Sequence, residues 1–309
     1  MTTSVLIPTY QRADMIKQAI ESCLNQTRLP DEILISDDSP GTETANLIND
    51  VYKNSKVVIK YFHNKPALRQ VENVNSLFKK VQTELLVLLH DDDILLPNAI
   101  EDLHNCFVKS PEIDAAYGKQ YVMDNNGALV YDNSENVNSA FYRSKEYEGS
   151  VLSPLEAGMV AQFPNDAYML RSAIAKQLLY TTDSLDACDY DFSLRLGVYG
   201  AKMFFFNGYT AAYRIALDSI SNHADNNAAL TSFRLLEAID VPTTSLKFKN
   251  TRLENMAPVA IVQAATLGQR KKALDIYFSE WHRNKIFSFG GARRLYLITK
   301  SYLKNSFRS

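Results

Sequence analysis

Glycine is scarce in this 309-residue chain, with 11 in all and none before Gly41. A phosphate-cradling loop after the first strand needs glycine so that backbone can approach the ligand, and its absence excludes a sugar nucleotidyltransferase and a Gly-x-Gly-x-x-Gly dehydrogenase. Cysteine is limited to Cys23, Cys106 and Cys188, an odd number at wide spacing that gives no disulfide framework. No apolar run approaches the roughly 18 residues needed to cross a bilayer, and no basic segment followed by an apolar one marks a signal peptide. The expected location is cytoplasmic, with attachment at the inner face of a membrane still allowed. Net charge is only −2, and no nucleic-acid partner is expected. That small total hides an imbalance. From Trp281 to Ser309 there are seven Lys and Arg with no Asp or Glu, which leaves −9 on the remainder.

What the chain does have is a succession of short apolar runs, each ending in polar residues. Leu85 to Leu89 are consecutive aliphatics, suited to a strand buried on both faces at the centre of a parallel sheet. His90, Asp91, Asp92 and Asp93 follow at once. Unpaired carboxylates are costly to bury, so three in a row must face water, a cation or a cationic partner; a hard divalent ion bridging to a phosphate-bearing substrate fits. Ser4 to Ile7 reads as a strand that Pro8 ends, Glu32 to Ser36 as a second ending in Asp37-Asp38-Ser39, and Val57 to Phe62 as a third. Helical spacing recurs from Asp14 to Gln26, from Thr42 to Tyr52 and through Val71, Val74, Phe78 and Val81. This alternation predicts an α/β fold, a doubly wound, mostly parallel sheet. Ligands of such sheets sit beyond the carboxyl ends of the strands, where Thr9 to Arg12, Asp37 to Ser39 and His90 to Asp93 converge.

Farther on, Asn125-Asn126-Gly127 predicts a hairpin between strands over 115–123 and 128–131. Asp132 to Gly149 reads as an irregular loop, and Met203 to Phe206 and Thr210 to Tyr213 as closing strands. A helix beginning near Asp189 ends at Gly200, with Asp191 spaced to pair with Arg195. From about Ala224 the pattern is helical, broken at Pro242 and at Gly290-Gly291. The expected division is a ligand-binding catalytic domain over 1–222 and a C-terminal helical appendage over 223–309. The basic, apolar-studded end of that appendage suits an anionic membrane surface, packing on the catalytic domain or a homodimer contact.

The order of motifs resembles that of the family 2 glycosyltransferases, inverting enzymes with the nucleotide-sugar-binding GT-A fold. Ser4 to Arg12 is similar to the family's opening strand and turn, Glu32 to Ser39 to its second strand and acidic loop, Leu88 to Pro97 to its metal-binding segment, and Asp189 to Leu196 to its catalytic-base helix. The resemblance covers about residues 4 to 220. It implies transfer of a sugar from a nucleoside-diphosphate donor to a hydroxyl of a saccharide or lipid-linked acceptor. Pro8, Thr9, Tyr10, Arg12, Asp38, Arg69, Asn73 and Asp91 would contact the nucleotide, and Asp38 as an acceptor from a base imide favours UDP- or dTDP-sugars. Asp92, with Asp93 and His90, would hold Mn2+ or Mg2+, and Asp189 would be the general base, replaced by Asp186 or Asp191 if the register shifts. Three departures stand out: His90 replaces the family's first acid, Cys188 replaces the Glu before the base, and Ala216 replaces a His near Arg214, with His223 the nearest later imidazole. They leave open a nucleotide-sugar-binding or scaffold protein with weak or lost turnover.

Overall fold

A computed structural model describes residues 1–215 and 226–306. Strands β1 (Thr3–Thr9), β2 (Glu32–Asp37), β3 (Val58–His63) and β4 (Leu85–Leu88) pair in parallel in the order β3-β2-β1-β4. Their side chains alternate between two cores. Val5, Ile7, Ile33, Ile35, Leu85 and Val87 meet Ile16 and Ile20 of α1 (Ala13–Leu24) and Ile48 of α2 (Glu43–Val51) on one face. Leu6, Leu34, Leu86 and Leu88 meet Val74, Leu77 and Phe78 of α3 (Arg69–Lys80) on the other. With both faces covered, each central strand has to be apolar throughout, which is why these runs are continuous.

Pro8 lies inside β1 instead of ending it. Pairing of β1 with β4 stops at Leu6↔Leu88, so the missing N–H of Pro8 removes no bond from that ladder.

Beyond β4 come the two-residue β5 (Ile94–Leu95) and α4 (Ala99–Lys109), and then the chain direction changes. Strands β6 (Ala115–Met123), β7 (Tyr168–Arg171) and β8 (Met203–Arg214) complete an eight-stranded sheet, β3-β2-β1-β4-β7-β6-β8-β5. β6 and β8 are parallel, but β7 runs antiparallel to both β4 and β6. The two closing strands expected near the end are one long strand, β8, whose register against β6 shifts around Lys119.

Asp132 to Gly149 is not an irregular loop: α5 (Tyr131–Ala140) and a 3-10 turn at Lys145–Tyr147 occupy it. The expected hairpin shrinks to a single bridge, Met123 to Leu129, because the helix starts at Tyr131. Then follow α6 (Pro154–Met159), α7 (Ser172–Leu178) and α8 (Cys188–Tyr199), which Gly200 ends at φ 84°, as the sequence predicts.

A third core is formed by α9 (Ala228–Ala238), α10 (Leu246–Thr266), α11 (Arg270–Tyr277) and α12 (Phe289–Ser306) around Phe233, Leu253, Ile261 and Tyr277, joined by Met159 and Leu194. Pro242 marks a break between α9 and α10, whereas Gly290-Gly291 lie in the first turn of α12. A Cβ on Gly291 would meet the carbonyls of Lys285 and Ile286 at 2.2 Å, so close packing explains that glycine. Among the described residues no helix is long and apolar enough to cross a membrane.

Candidate active site

The ends of β1, β2 and β4 bring the polar clusters together. Asp91 is tied to the β1 turn: its Oδ2 accepts from Thr9 Oγ1 at 2.7 Å and Tyr10 N at 3.3 Å, and its Oδ1 from Arg12 Nη1 at 3.1 Å. Arg12 also reaches Asp92 Oδ2 at 2.7 Å. A guanidinium therefore bridges two of the three consecutive carboxylates, which is how the fold tolerates them side by side.

At the end of β2, Asp38 fastens the segment leading into α3. Its Oδ1 accepts from Asn64 Nδ2 at 2.9 Å and Leu68 N at 3.0 Å, and its Oδ2 from Arg69 N at 2.7 Å. Asn73 is buried and donates to the Thr9 carbonyl at 3.4 Å. Pro8, Thr9, Arg12, Asp38, Arg69, Asn73 and Asp91 thus share one edge of the sheet, and Tyr10 stands 55% exposed beside them.

His90, Asp92 and Asp93 can each present one ligand atom within 4.8 Å of the others. Asp93 Oδ1 accepts from Arg214 N at 2.6 Å, whereas its Oδ2 is buried without a hydrogen-bond donor. Burial, then the neighbouring carboxylates of Asp166 and Asp92, push the Asp93 carboxyl well above the ordinary range. Burial alone would lower the His90 imidazole, but the surrounding Asp166, Asp189, Asp92 and Asp91 raise it. One imidazole and two carboxylates around an unanswered oxygen fit a divalent cation, manganese more readily than magnesium because of the nitrogen.

Asp166 is the residue that sequence reading missed. It is fully buried, its Oδ2 accepts from His90 N at 3.1 Å and its Oδ1 from Gln120 Nε2 at 3.1 Å. In a wholly parallel sheet the residue before a strand lies at the far edge. Because β7 is antiparallel to β4, Tyr168 pairs with Leu88 and Asp166 arrives beside His90. No local signal in the sequence carries that direction. Arg214, at the end of β8, braces the acidic turn: Nε donates to the Asp92 carbonyl at 2.8 Å and Nη2 to Gln18 Oε1 at 2.8 Å. Ala216 and His223 lie outside the described residues.

Asp189 is in the first turn of α8 and lines a cavity of about 540 Å³. Burial pushes its carboxyl upward, opposed by the His90 imidazole and the Tyr180 hydroxyl. The two alternatives are committed elsewhere. Asp191 Oδ2 accepts from Arg195 Nε at 2.7 Å and Thr181 Oγ1 at 2.9 Å, and Asp186 accepts from Asn227 N at 3.0 Å. Helix α8 is held by close contact with α6: a Cβ on Gly158 would meet the Ser193 carbonyl at 2.6 Å, and one on Gly197 the Pro154 carbonyl at 2.6 Å. Cys188, before Asp189, is buried, and burial pushes its thiol far up, so it behaves as a small apolar group.

Tyr213 links the two centres. It lines the cavity, and burial, then the nearby carboxylates of Asp93, Asp166, Asp92 and Asp189, push its hydroxyl up to about 12. A half-buried carboxylate on a cavity wall, close to His90, Asp92 and Asp93 and to the polar edge of the sheet, has the parts for moving a group from a phosphate ester to a hydroxyl.

The model of the family described as Glycosyl transferase family 2 matches residues 4–160. The chain is 24% identical over 253 residues to the GalNAc(5)-diNAcBac-PP-undecaprenol beta-1,3-glucosyltransferase of Campylobacter jejuni, spanning 81% of this chain and 76% of that one. It is 25% identical over 213 residues to an uncharacterised glycosyltransferase of Methanocaldococcus jannaschii, spanning 69% of this chain and 70% of that one. Among solved structures, Staphylococcus aureus TarS 1–349 in complex with UDP superposes with TM-score 0.62 at 14% identity, covering 99% of this chain and 92% of that one. A mannosyltransferase of Pyrobaculum calidifontis in complex with GDP-Man and Mn2+ does so with TM-score 0.59 at 13% identity, covering 99% and 87%. With the motif order, the sheet and the family match in agreement, the chain belongs to glycosyl transferase family 2.

Proposed function

We propose that this glycosyltransferase moves a sugar from a UDP- or dTDP-linked donor to a hydroxyl of a saccharide or lipid-linked acceptor by one inverting displacement. The observation that carries this reading is the position of Asp189, on the wall of the cavity and within the field of His90, while Asp186 and Asp191 are tied elsewhere. Asp189 takes the proton of the attacking hydroxyl, and its burial makes it a stronger base than an exposed carboxylate. Asp92, Asp93 and His90 would hold Mn2+ or Mg2+, which when bound would supply Lewis-acid stabilisation of the departing diphosphate. Thr9 and Asp38 contact the nucleoside, and Pro8, Tyr10, Arg12, Arg69, Asn73 and Asp91 complete the nucleotide site, with Asp91 holding Thr9 and Arg12 in place. Asp38 Oδ2 carries one protein donor and keeps a lone pair for a base imide N–H, which supports uracil or thymine. The UDP complex of TarS and the lipid-linked acceptor in the Campylobacter relative's name support the same donor and acceptor classes.

A thermal-shift panel of UDP-, dTDP- and GDP-sugars, with and without Mn2+, tests the donor site. Stabilisation by a UDP- or dTDP-sugar, increased by Mn2+, is expected; silence toward every nucleoside diphosphate refutes it. Transfer or slow donor hydrolysis should disappear in Asp189→Asn while donor stabilisation persists. A nucleotide-sugar-binding scaffold would show neither turnover nor that loss.

An anionic membrane is the second partner we propose, with residues 223–309 supplying the contact. Phe289, Arg293, Tyr296 and Lys300 fall on one exposed stripe of α12, and Phe287 just before it is fully exposed, while Ile298 packs inward. Aromatic and basic side chains on one outward face suit the headgroup boundary of an anionic bilayer.

A further inference from the structure

The cavity beside Asp189 carries more positive charge than the chain answers. Two guanidiniums flank the ring of Phe141 on its wall, Arg143 at 5.4 Å and Arg252 at 5.3 Å from the ring centroid. Arg143 is buried and bonds only neutral acceptors: the carbonyls of Gln162 at 2.8 Å and Ala161 at 3.2 Å, and Gln120 Oε1 at 3.3 Å. Burial lowers its guanidinium to about 10, the mark of a charge short of compensation.

Arg252, reaching in from α10, has no ion pair among the described residues, and its Nε is buried without an acceptor. It lies over the Tyr190 ring at 5.9 Å and hydrogen-bonds the neutral Tyr190 hydroxyl, which itself donates to the Met159 carbonyl at 2.8 Å, so no anion meets this guanidinium among the described residues. Tyr190 directly follows the proposed base, and Asp189, Tyr190 and Arg252 all line the same cavity. A guanidinium with an empty donor in a cavity built for a substrate is matched by a planar or tetrahedral oxyanion.

We propose that the acceptor is an acidic saccharide whose anionic group, a carboxylate or a phosphate ester, is bound by Arg252 with Arg143 behind it. Arg252 is then a specificity-determining residue, selecting among acceptors without taking part in the displacement. This rests on the reading of Asp189 as the base and of its cavity as the acceptor site.

The full chain is assayed with the nucleotide sugar that stabilises it against three acceptors built on one sugar: a neutral glycoside, the matching uronide and a phosphate ester. The wild type should favour an anionic acceptor by about 10-fold or more in kcat/KM, the scale of one charge-assisted hydrogen-bonded pair. Preference for the uronide or for the phosphate ester identifies the source of the charge, and either supports the proposal. The preference should persist in Arg252→Lys and collapse toward parity in Arg252→Gln. Because the ratio is taken within each variant, a general loss of fold or turnover cancels. Equal use of neutral and anionic acceptors, or a preference that survives Arg252→Gln, overturns this inference alone. Failure of every nucleotide sugar to bind or be hydrolysed overturns it together with the reading of the donor site.

Discussion

Asp93 is a carboxyl that the protein answers on one side only. Its Oδ1 takes the Arg214 amide, and its buried Oδ2 faces Asp166 with no donor. Because burial and Asp166 raise its pKa above 3.8, folding favours the protonated acid. Without metal, the stability this group contributes is full below the ordinary carboxylate pKa and is lost as pH climbs through the raised value. Asp93→Asn keeps an acceptor for Arg214 and places an amide donor toward Asp166. With chelator present, the variant should melt higher than the wild type near neutral pH, by about 1 kcal/mol or more, and lose that pH slope. Added Mn2+ should stabilise the wild type and leave the variant unmoved. A variant that melts lower and still responds to Mn2+ would remove Asp93 from the ligand set.

Helix α5 shows why some elements escape a reading by hydrophobic pattern. It buries Ser134 and Asn138, one turn apart, and both serve the backbone of β6. Ser134 Oγ accepts from Val122 N at 2.8 Å, while Asn138 accepts from Gln120 N at 3.1 Å and donates to its carbonyl at 2.8 Å. Asn138→Ala would leave two buried strand groups unanswered, and chemical denaturation should register a loss of about 2–3 kcal/mol. A loss below about 0.5 kcal/mol would mean that water replaces the amide at β6. The strands β1, β2 and β4 were legible because their apolar runs report burial on both faces, and α1 and α3 because their apolar spacing is helical. The convergence of Thr9, Asp38 and Asp91 followed from strand polarity alone. α5 was hidden because its buried face is polar, and Asp166 because the direction of β7 is a property of the whole sheet. Helix α8 was legible from its apolar spacing and Gly200, whereas setting Asp189 apart from Asp186 and Asp191 rests on the partners that hold those two.

On the scale of the whole molecule, the charge imbalance has a structural address. The basic end of the chain includes the exposed stripe of α12, whose inward side, through Ile298 and Leu297, completes the third core. The chain should co-sediment with vesicles containing anionic lipid and be released as salt rises. Replacing Phe287 and Phe289 by Ser should weaken this binding several-fold. Binding unchanged by both salt and the substitutions would turn attention to self-association, which sedimentation of the chain alone would detect.

The seam between the two parts of the molecule does not fall where the chain passes from one to the other. Met159 and Leu194, from α6 and α8, are buried among the C-terminal helices, and the same α8 presents Phe192 to the sheet core and Asp189 to the cavity. A chimera joined near residue 222 would therefore cut through a shared core. Exchanging the C-terminal helices between relatives means carrying α6 and α8, Asp189 with them, along with the graft.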